Sequence, residues 1–429
     1  MTAMLFFALY NLMDTLWLTR LGSQAMAAYA VTFPIQMIFA ALGVGTGVGA
    51  GSFAARMFGA GNIENARRTA GQVISLSIFF GIVLILSVIF YNKPILLFFG
   101  ATDTILDAAS DYLVPAVFGS PFLLFMMMSN NLLRAEGRPT QSMYAQIIFA
   151  LTGAILDPFL IFGWGPFPEL GIAGAAVSAI LGQFAACLLS LHFLLQRSSR
   201  FNIQLYLLWP NVSIIRSIYQ TGFPSVLINL VFGVVIIIYN HLLSGFGNLA
   251  LATLGICFRI NGLITMVLFG IGHGVMPLVG YSLGARLYQR LIDSVRIAIK
   301  MSTIIAALSS IFIIVLADPI LSLFTQDPQL KMTALPALRI FTAMMILSGP
   351  TIVWINMFIG LGKGLTSMIL LLFRDALFLI PCLYILKDWM GITGIWLGQP
   401  ISLFAGFCII WGWSTRELKD IASRITQET

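Results

Sequence analysis

Between Arg68 and Lys93 the chain passes through Val73, Phe79, Leu84 and Phe90 without one charged side chain, and stretches of this kind recur along its whole length. An α-helix needs about 20 apolar residues to cross the hydrocarbon core of a bilayer. Lysine and arginine together number 23 and aspartate and glutamate 16 in 429 residues, or 9% charged. An ordinary soluble domain carries about 25%. Mean hydropathy is +0.96. A soluble fold cannot hide that much apolar surface behind so few charges. A soluble enzyme, a disordered chain and a secreted disulfide scaffold are therefore excluded. An all-α polytopic membrane protein remains.

Apolar windows bounded by charges, Gly/Pro and polar clusters predict twelve transmembrane helices. They cover 1–19, 27–55, 67–91, 106–132, 140–163, 171–195, 214–244, 249–281, 294–317, 333–360, 365–386 and 391–414. With both termini cytoplasmic, the inner loops and helix ends hold 16 of the 23 basic residues, among them Arg67, Arg68, Arg134, Arg138, Arg286, Arg290 and Lys363. The outer segments hold 5, namely Arg20, Lys93, Lys331, Arg339 and Lys387. This bias orients the chain N-in and C-in. It also accounts for the net charge of +7 without a nucleic-acid partner, leaving some attraction to anionic lipid. The expected setting is the plasma (inner) membrane, with the lipid bilayer as partner and the chain acting as a monomer. Cys187, Cys257, Cys382 and Cys408 lie far apart in apolar runs, so neither a disulfide framework nor a zinc site is expected.

The two halves echo one another. Ser142-Met143 recurs as Ser367-Met368, each after a Gly-plus-basic turn, Gly137-Arg138 and Gly362-Lys363, at an offset of 225. Leu156 to Leu160 aligns with Leu379 to Leu383 at 223, and Gly171-Ile172-Ala173-Gly174 with Gly391-Ile392-Thr393-Gly394 at 220. Gly43, Gly45 and Gly47 align with Gly270, Gly272 and Gly274 at 227. Six spans apart, the copies share one orientation, the parallel repeat of two-lobed transporters. The expected organisation is an N-terminal lobe over 1–197, an inter-lobe linker over 198–213 and a C-terminal lobe over 214–429.

Charges inside spans are costly and mark functional sites by default. Five lie there: Asp14, Asp157, Arg259, Arg374 and Asp375. Asp14 precedes Gly22 by eight residues and Asp157 precedes Gly163 by six, both on outward-running helices. At about 1.5 Å per residue the two lie at similar depth in the outer half of the first lobe. Two carboxylates in one apolar cavity can hold a proton near neutral pH, or bind Na⁺ when ionised. The repeat places Ile380 opposite Asp157 and Tyr239 near the position of Asp14, so the second lobe has neither acid and coupling should reside in the first. Arg374 and Asp375 are neighbours on helix 11, about 100° apart, and are not expected to pair face to face. Arg259 on helix 8 is the expected partner of Asp375, in a structural ion pair or, second, a substrate contact. His241 and His273 read as hydrogen-bonded fillers, and Met126 to Met128 as core or lipid-facing, some able to line an adaptable pocket. The glycines from Gly43 to Gly51 follow no strand, so close helix packing is expected rather than a dinucleotide loop. Span prolines such as Pro34, Pro115, Pro158, Pro224 and Pro350 permit bends.

Several ordered segments carry a resemblance over essentially the whole chain. They are Tyr10-Asn11-Leu12-Met13-Asp14-Thr15, Gly47-Val48-Gly49 with Arg56, Leu133-Arg134-Ala135-Glu136-Gly137, Leu156-Asp157-Pro158 and Gly394-Ile395-Trp396-Leu397-Gly398-Gln399-Pro400. Together they resemble the multidrug and toxic compound extrusion (MATE) family, in its DNA-damage-inducible protein F-like and archaeal-type branch. The resemblance implies twelve helices in two six-helix lobes. It implies export of organic, often cationic, compounds in exchange for H⁺ or Na⁺, with no enzymatic activity and no resident cofactor. It matches Asp14 and Asp157 to the family's first-lobe coupling pair and Tyr10 to its usual neighbour, and Ser178 is the hydroxyl nearest the position of the family's Thr. The branch often has Asn where this chain has Gly153 and Thr where it has Ala179, and the acid that another branch carries on helix 7 is absent from Pro224 to Asn229. Fewer oxygen ligands favour H⁺ over Na⁺. The family's amphipathic start and early helix-1 proline are also missing, so either the start is truncated or helix 1 is shorter and bends differently, and no proline kink is expected there. The alternative is a flippase of lipid-linked or polar head-group substrates, which would need a charged central cavity. No HExxH, GxSxG or P-loop is present, which argues against an intramembrane enzyme and excludes an ATP pump.

Overall fold

The computed structural model of the chain describes residues 2–325 and 327–428. Met1, where helix 1 was expected to start, lies outside them. The helices are α1 (Thr2–Arg20), α2 (Ser23–Gly59), α3 (Ile63–Phe98), α4 (Leu106–Phe118), α5 (Ser120–Ala135), α6 (Pro139–Phe162), α7 (Ile172–Leu195), α8 (Val212–Ser244), α9 (Asn248–Gly284), α10 (Tyr288–Val315), α11 (Ala317–Phe324), α12 (Pro328–Thr342), α13 (Ser348–Gly360), α14 (Gly364–Leu372), α15 (Leu379–Met390) and α16 (Ile392–Glu428). Among the described residues ten helical spans, and an eleventh formed by the bent pair α4–α5, have the length and hydropathy to cross a bilayer. The 19-residue α1 is about 28 Å long at 1.5 Å per residue.

The spans are longer and more broken than the sequence suggested, and prolines explain the breaks. α4 and α5 meet at Gly119 with a 52° bend. Pro121, at the start of α5, has no N–H to continue the ladder across Gly119. In α3 the backbone leaves helical values at Tyr91, three residues before Pro94, whose ring excludes the carbonyl of Phe90. The tenth span divides into α12, a 3₁₀ turn at Met345–Leu347, and α13. Pro350 cannot donate to Ile346, which releases that turn. α1 holds no proline and runs unbroken. α16 runs to Glu428 rather than ending at 414, and Lys363 pairs with its Glu417 at 2.6 Å.

The chain forms two compact units, residues 1–226 and 227–429. Their backbones repeat. Gly22 and Gly247, 225 residues apart, precede α2 and α9 with φ, ψ of 106°, 176° and 89°, 177°. Gly171 and Gly391 precede α7 and α16 with 57°, −132° and 61°, −135°, a conformation that only glycine enters freely. Just beyond each, a small residue lets two helices touch. A Cβ on Gly174 would lie 2.2 Å from the carbonyl oxygen of Leu160, and one on Gly394 2.0 Å from that of Leu386.

The glycine run also repeats, in a register that corrects the expected one. A Cβ on Gly47 would meet Asn131 Nδ2 at 2.8 Å, and one on Gly272 would meet Asn356 Nδ2 at 2.5 Å. Gly47 therefore corresponds to Gly272, at 225 rather than 227. Counting glycines aligned the run two residues out; the asparagines that the glycines face fix it. In α2 the run serves two neighbours. Gly43, Gly47 and Gly51 face α5, while Gly45 and Gly49 face Val226 and Ile218 of α8. Alternate glycines bring two helices to backbone contact at once.

The segment from Ser198 to Asn211 is docked on the first unit rather than spanning free. Gln72 Nε2 donates to the carbonyls of Leu207 (3.1 Å) and Trp209 (2.9 Å), and its Oε1 accepts from the Asn211 amide at 3.0 Å. Ser75 donates to Leu208 O at 2.6 Å, and Glu136 accepts from the Ser199 hydroxyl at 3.2 Å and the Arg200 amide at 2.5 Å.

Candidate functional site

α1, α2, α4, α6 and α7 enclose a polar centre in the first unit. Asp14 on α1 is 6% exposed and Asp157 on α6 is fully buried. The two carboxylates lie within electrostatic reach of one another. The structure thus places near one another the two acids that the spacing to Gly22 and Gly163 set at similar depth. The Ser178 hydroxyl on α7 donates to Asp157 Oδ1. The same hydroxyl lies 2.9 Å from the Ala175 carbonyl, a second acceptor. Asp157 Oδ2 is buried with no hydrogen-bond partner among the described residues.

Tyr10 packs one turn before Asp14, with its ring edge-on to Phe149 of α6 at 4.9 Å. Gly153 makes that packing possible. A Cβ at 153 would stand 2.5 Å from Tyr10 Cε2, so the ring occupies the space that an Asn side chain would need. The departure from the family pattern at 153 and the position of Tyr10 are thus one feature.

Two neighbours of Asp14 were not read from the sequence. Tyr29 on α2 lies within electrostatic reach of the Asp14 carboxylate. Tyr112 on α4 is buried and meets the Tyr29 ring edge-on at 5.5 Å. Beyond the acids, Trp17 meets Phe162 and Trp164 edge-on at 5.9 and 6.0 Å, and Arg20 stacks over Trp17 at 4.8 Å.

The second unit differs from expectation. Arg374 and Asp375 pair with each other, Nε to Oδ1 at 2.6 Å and Nη2 to Oδ2 at 2.8 Å. They lie on a π-helical turn, Phe373–Phe378. The widened turn and the long arginine stem let adjacent residues meet, which the 100° step of a regular α-helix does not suggest. Arg259 is exposed on α9 and makes no ion pair among the described residues, so the expected Arg259–Asp375 pair is not formed. Tyr239 is fully buried and donates to Gln399 Oε1 at 3.2 Å. His241 is exposed, His273 stacks on Phe269, and Met126 and Met128 are core. No group of three or more His, Cys, Asp or Glu able to hold a metal occurs among the described residues.

Known proteins share this architecture. The chain is 27% identical over 393 residues to the multidrug export protein MepA of Staphylococcus aureus, spanning 91% of this chain and 86% of that one. It is 26% identical to its namesake in Staphylococcus haemolyticus, over 95% and 90%. An outward-facing multidrug resistance MATE transporter of the MOP superfamily superposes with a TM-score of 0.93 at 26% identity, over 98% of this chain and 94% of that one. A MOP superfamily transporter from Pyrococcus furiosus superposes at 0.91, also at 26% identity and the same coverage. The MatE family model matches residues 1–159 and 224–385, most of both units. With ten helical spans and an eleventh bent one among the described residues, a backbone repeat and that match, the chain is a multi-pass membrane transporter and belongs to the MATE family.

Proposed function

We propose that the chain is a secondary antiporter that exports organic cations in exchange for protons, coupled through Asp14 and Asp157 with Tyr10 and Ser178 beside them. The observation that carries this reading is Asp157 Oδ2, buried and without a hydrogen-bond partner among the described residues. An ionised oxygen so placed costs free energy, and a proton removes the charge. Ser178 suits both states. It donates to the carboxylate when Asp157 is ionised and can turn to the Ala175 carbonyl 2.9 Å away when Asp157 carries the proton. Where a further oxygen ligand for Na⁺ would be needed, the space beside Gly153 is filled by ring carbons of Tyr10. A cation of this class takes several oxygen ligands, so this favours H⁺.

A proton arriving from outside neutralises one acid, and α1 with its partners Tyr10 and Tyr29 shifts as the charge is lost. The basic bias of the loops supports N-in and C-in orientation in the plasma membrane. The proposed organisation keeps the lobes at 1–197 and 214–429, with 198–213 as a docked connection. No resident cofactor is required, and one chain suffices as a monomer.

Liposomes holding the purified chain and a panel of cationic compounds, with ΔpH and ΔNa⁺ imposed separately, test this. Export should follow ΔpH alone. D14N and D157N should fold and stop exporting; unchanged export from both variants overturns the proposal.

A further inference from the structure

Arg374 and Asp375 make an uncommon use of two charges inside a membrane. A structural ion pair in such a place usually joins two helices, so that its Coulomb energy holds tertiary structure. This pair joins one residue to the next and closes on itself, tying no helix to another. The fold nonetheless accommodates it at some cost. The pair needs the π turn Phe373–Phe378. That turn leaves the Arg374 carbonyl to the Ser402 hydroxyl of α16, which donates to it at 2.5 Å. Gly406 of α16 makes room for the arginine stem, since a Cβ there would lie 2.4 Å from Arg374 Cγ. π turns inside helices are frequent at functional sites.

The location is informative. Tyr239 stands 225 residues after Asp14 and lies within electrostatic reach of Asp375. α8, the α14–α15 span and α16 are the repeat counterparts of α1, α6 and α7. The cluster of Tyr239, Gln399, Arg374 and Asp375 thus occupies in the second unit the three-helix position that the acid pair occupies in the first.

The open side of the pair is the carboxylate. Asp375 keeps 24% of its side chain exposed against 16% for Arg374, whose stem is walled by Gly406. A bidentate guanidinium uses about half of a carboxylate's lone-pair positions, leaving others to accept.

We propose that Asp375 is a binding site for the positive group of an organic cation, with Arg374 as a positioning residue that fixes the carboxylate and tempers its charge. A bare carboxylate in this setting would hold a cation too tightly to release it; one already shared with a guanidinium binds and lets go. The inference rests on the transport reading for its ligand class and deepens it by placing a second-unit contact.

The test is equilibrium binding of tetraphenylphosphonium to the purified full chain in micelles, with no ion gradient, so failure of coupling at Asp14 and Asp157 does not affect it. D375N should weaken binding by about tenfold or more, and R374Q should strengthen it by a similar factor, since a charge-assisted contact is lost in one and a repulsion in the other. Opposite signs are the signature. A purely structural pair would lower the melting temperature in both variants and shift binding in neither, or in the same direction; either result overturns the inference, as does absence of saturable wild-type binding. Should a single variant fail to fold, R374Q/D375N leaves no unpaired charge. It should lose the preference for tetraphenylphosphonium over neutral triphenylphosphine oxide, and a retained preference overturns the inference.

Discussion

Gly153→Ala tests whether the space beside Asp157 belongs to Tyr10. The added Cβ would lie 2.5 Å from Tyr10 Cε2 and 3.2 Å from Cδ2 and Cζ. Carbon atoms settle at about 3.5–4.0 Å, so the ring must retreat by about 1 Å. Its path is obstructed: Tyr10 is 7% exposed and already packs on Phe149. Overpacking of this kind costs about 1–3 kcal/mol. Alanine recovers about 1 kcal/mol over glycine in a helix interior. The expected net loss is about 1 kcal/mol, measured by chemical unfolding in mixed micelles. Because the displaced ring adjoins both acids, ΔpH-driven export should fall more than stability does, by about tenfold. The decisive measurement is the cycle with Tyr10→Leu. If the clash is the cause, the double variant is more stable than the sum of the singles by at least about 1 kcal/mol. Additivity within about 0.5 kcal/mol would refute the reasoning and separate Tyr10 from residue 153.

Ser178→Ala removes the donor to Asp157 Oδ1, and the initial rate of proton-driven export should drop about tenfold while binding of substrate in micelles stays within about twofold. Gly71→Ala sets a Cβ 2.1 Å from the Leu207 carbonyl; proteolysis between Leu205 and Asn211 should accelerate, with the span region still protected. Gly174→Ala and Gly394→Ala both press a Cβ on backbone, at 2.2 and 2.0 Å, which no side-chain rotation relieves; each should cost about 3 kcal/mol, and a large difference between the two would break the equivalence of the repeats.

Much of the architecture was legible because it is written in hydropathy and in glycine. Most spans follow from apolar length, and the turns at Gly137, Gly171, Gly362 and Gly391 follow from residues that enter left-handed backbone. Asp14 and Asp157 were legible because a charge in a span stands out and depth along a helix is a matter of counting. What escaped depends on partners distant in sequence. Nothing near Asp14 announces Tyr29 or Tyr112, since a tyrosine in an apolar run looks the same whether it stands near a carboxylate or lies against lipid. The Arg374–Asp375 pair was misread for a local reason: the 100° rule assumes an α-helix, and the π turn over Phe373–Phe378 suspends it. The docking of the Ser198 to Asn211 segment was hidden too, because its bonds are mostly backbone groups meeting Gln72 and Ser75, more than a hundred residues earlier.

The asymmetry between the two units sets a thermodynamic ceiling. The first holds two acids, and the repeat positions in the second hold Tyr239 and Ile380. On the proposed mechanism a full cycle carries at most two protons. One pH unit is worth about 1.4 kcal/mol per proton, so two protons sustain at most about a hundredfold concentration ratio of substrate for each pH unit of gradient. If the cargo carries one positive charge, one net charge moves inward per cycle, and each 100 mV adds about 2.3 kcal/mol. Export with a one-proton stoichiometry would be electroneutral for the same cargo and insensitive to voltage. The number of carboxylates in one lobe therefore decides whether this exporter draws on the membrane potential at all.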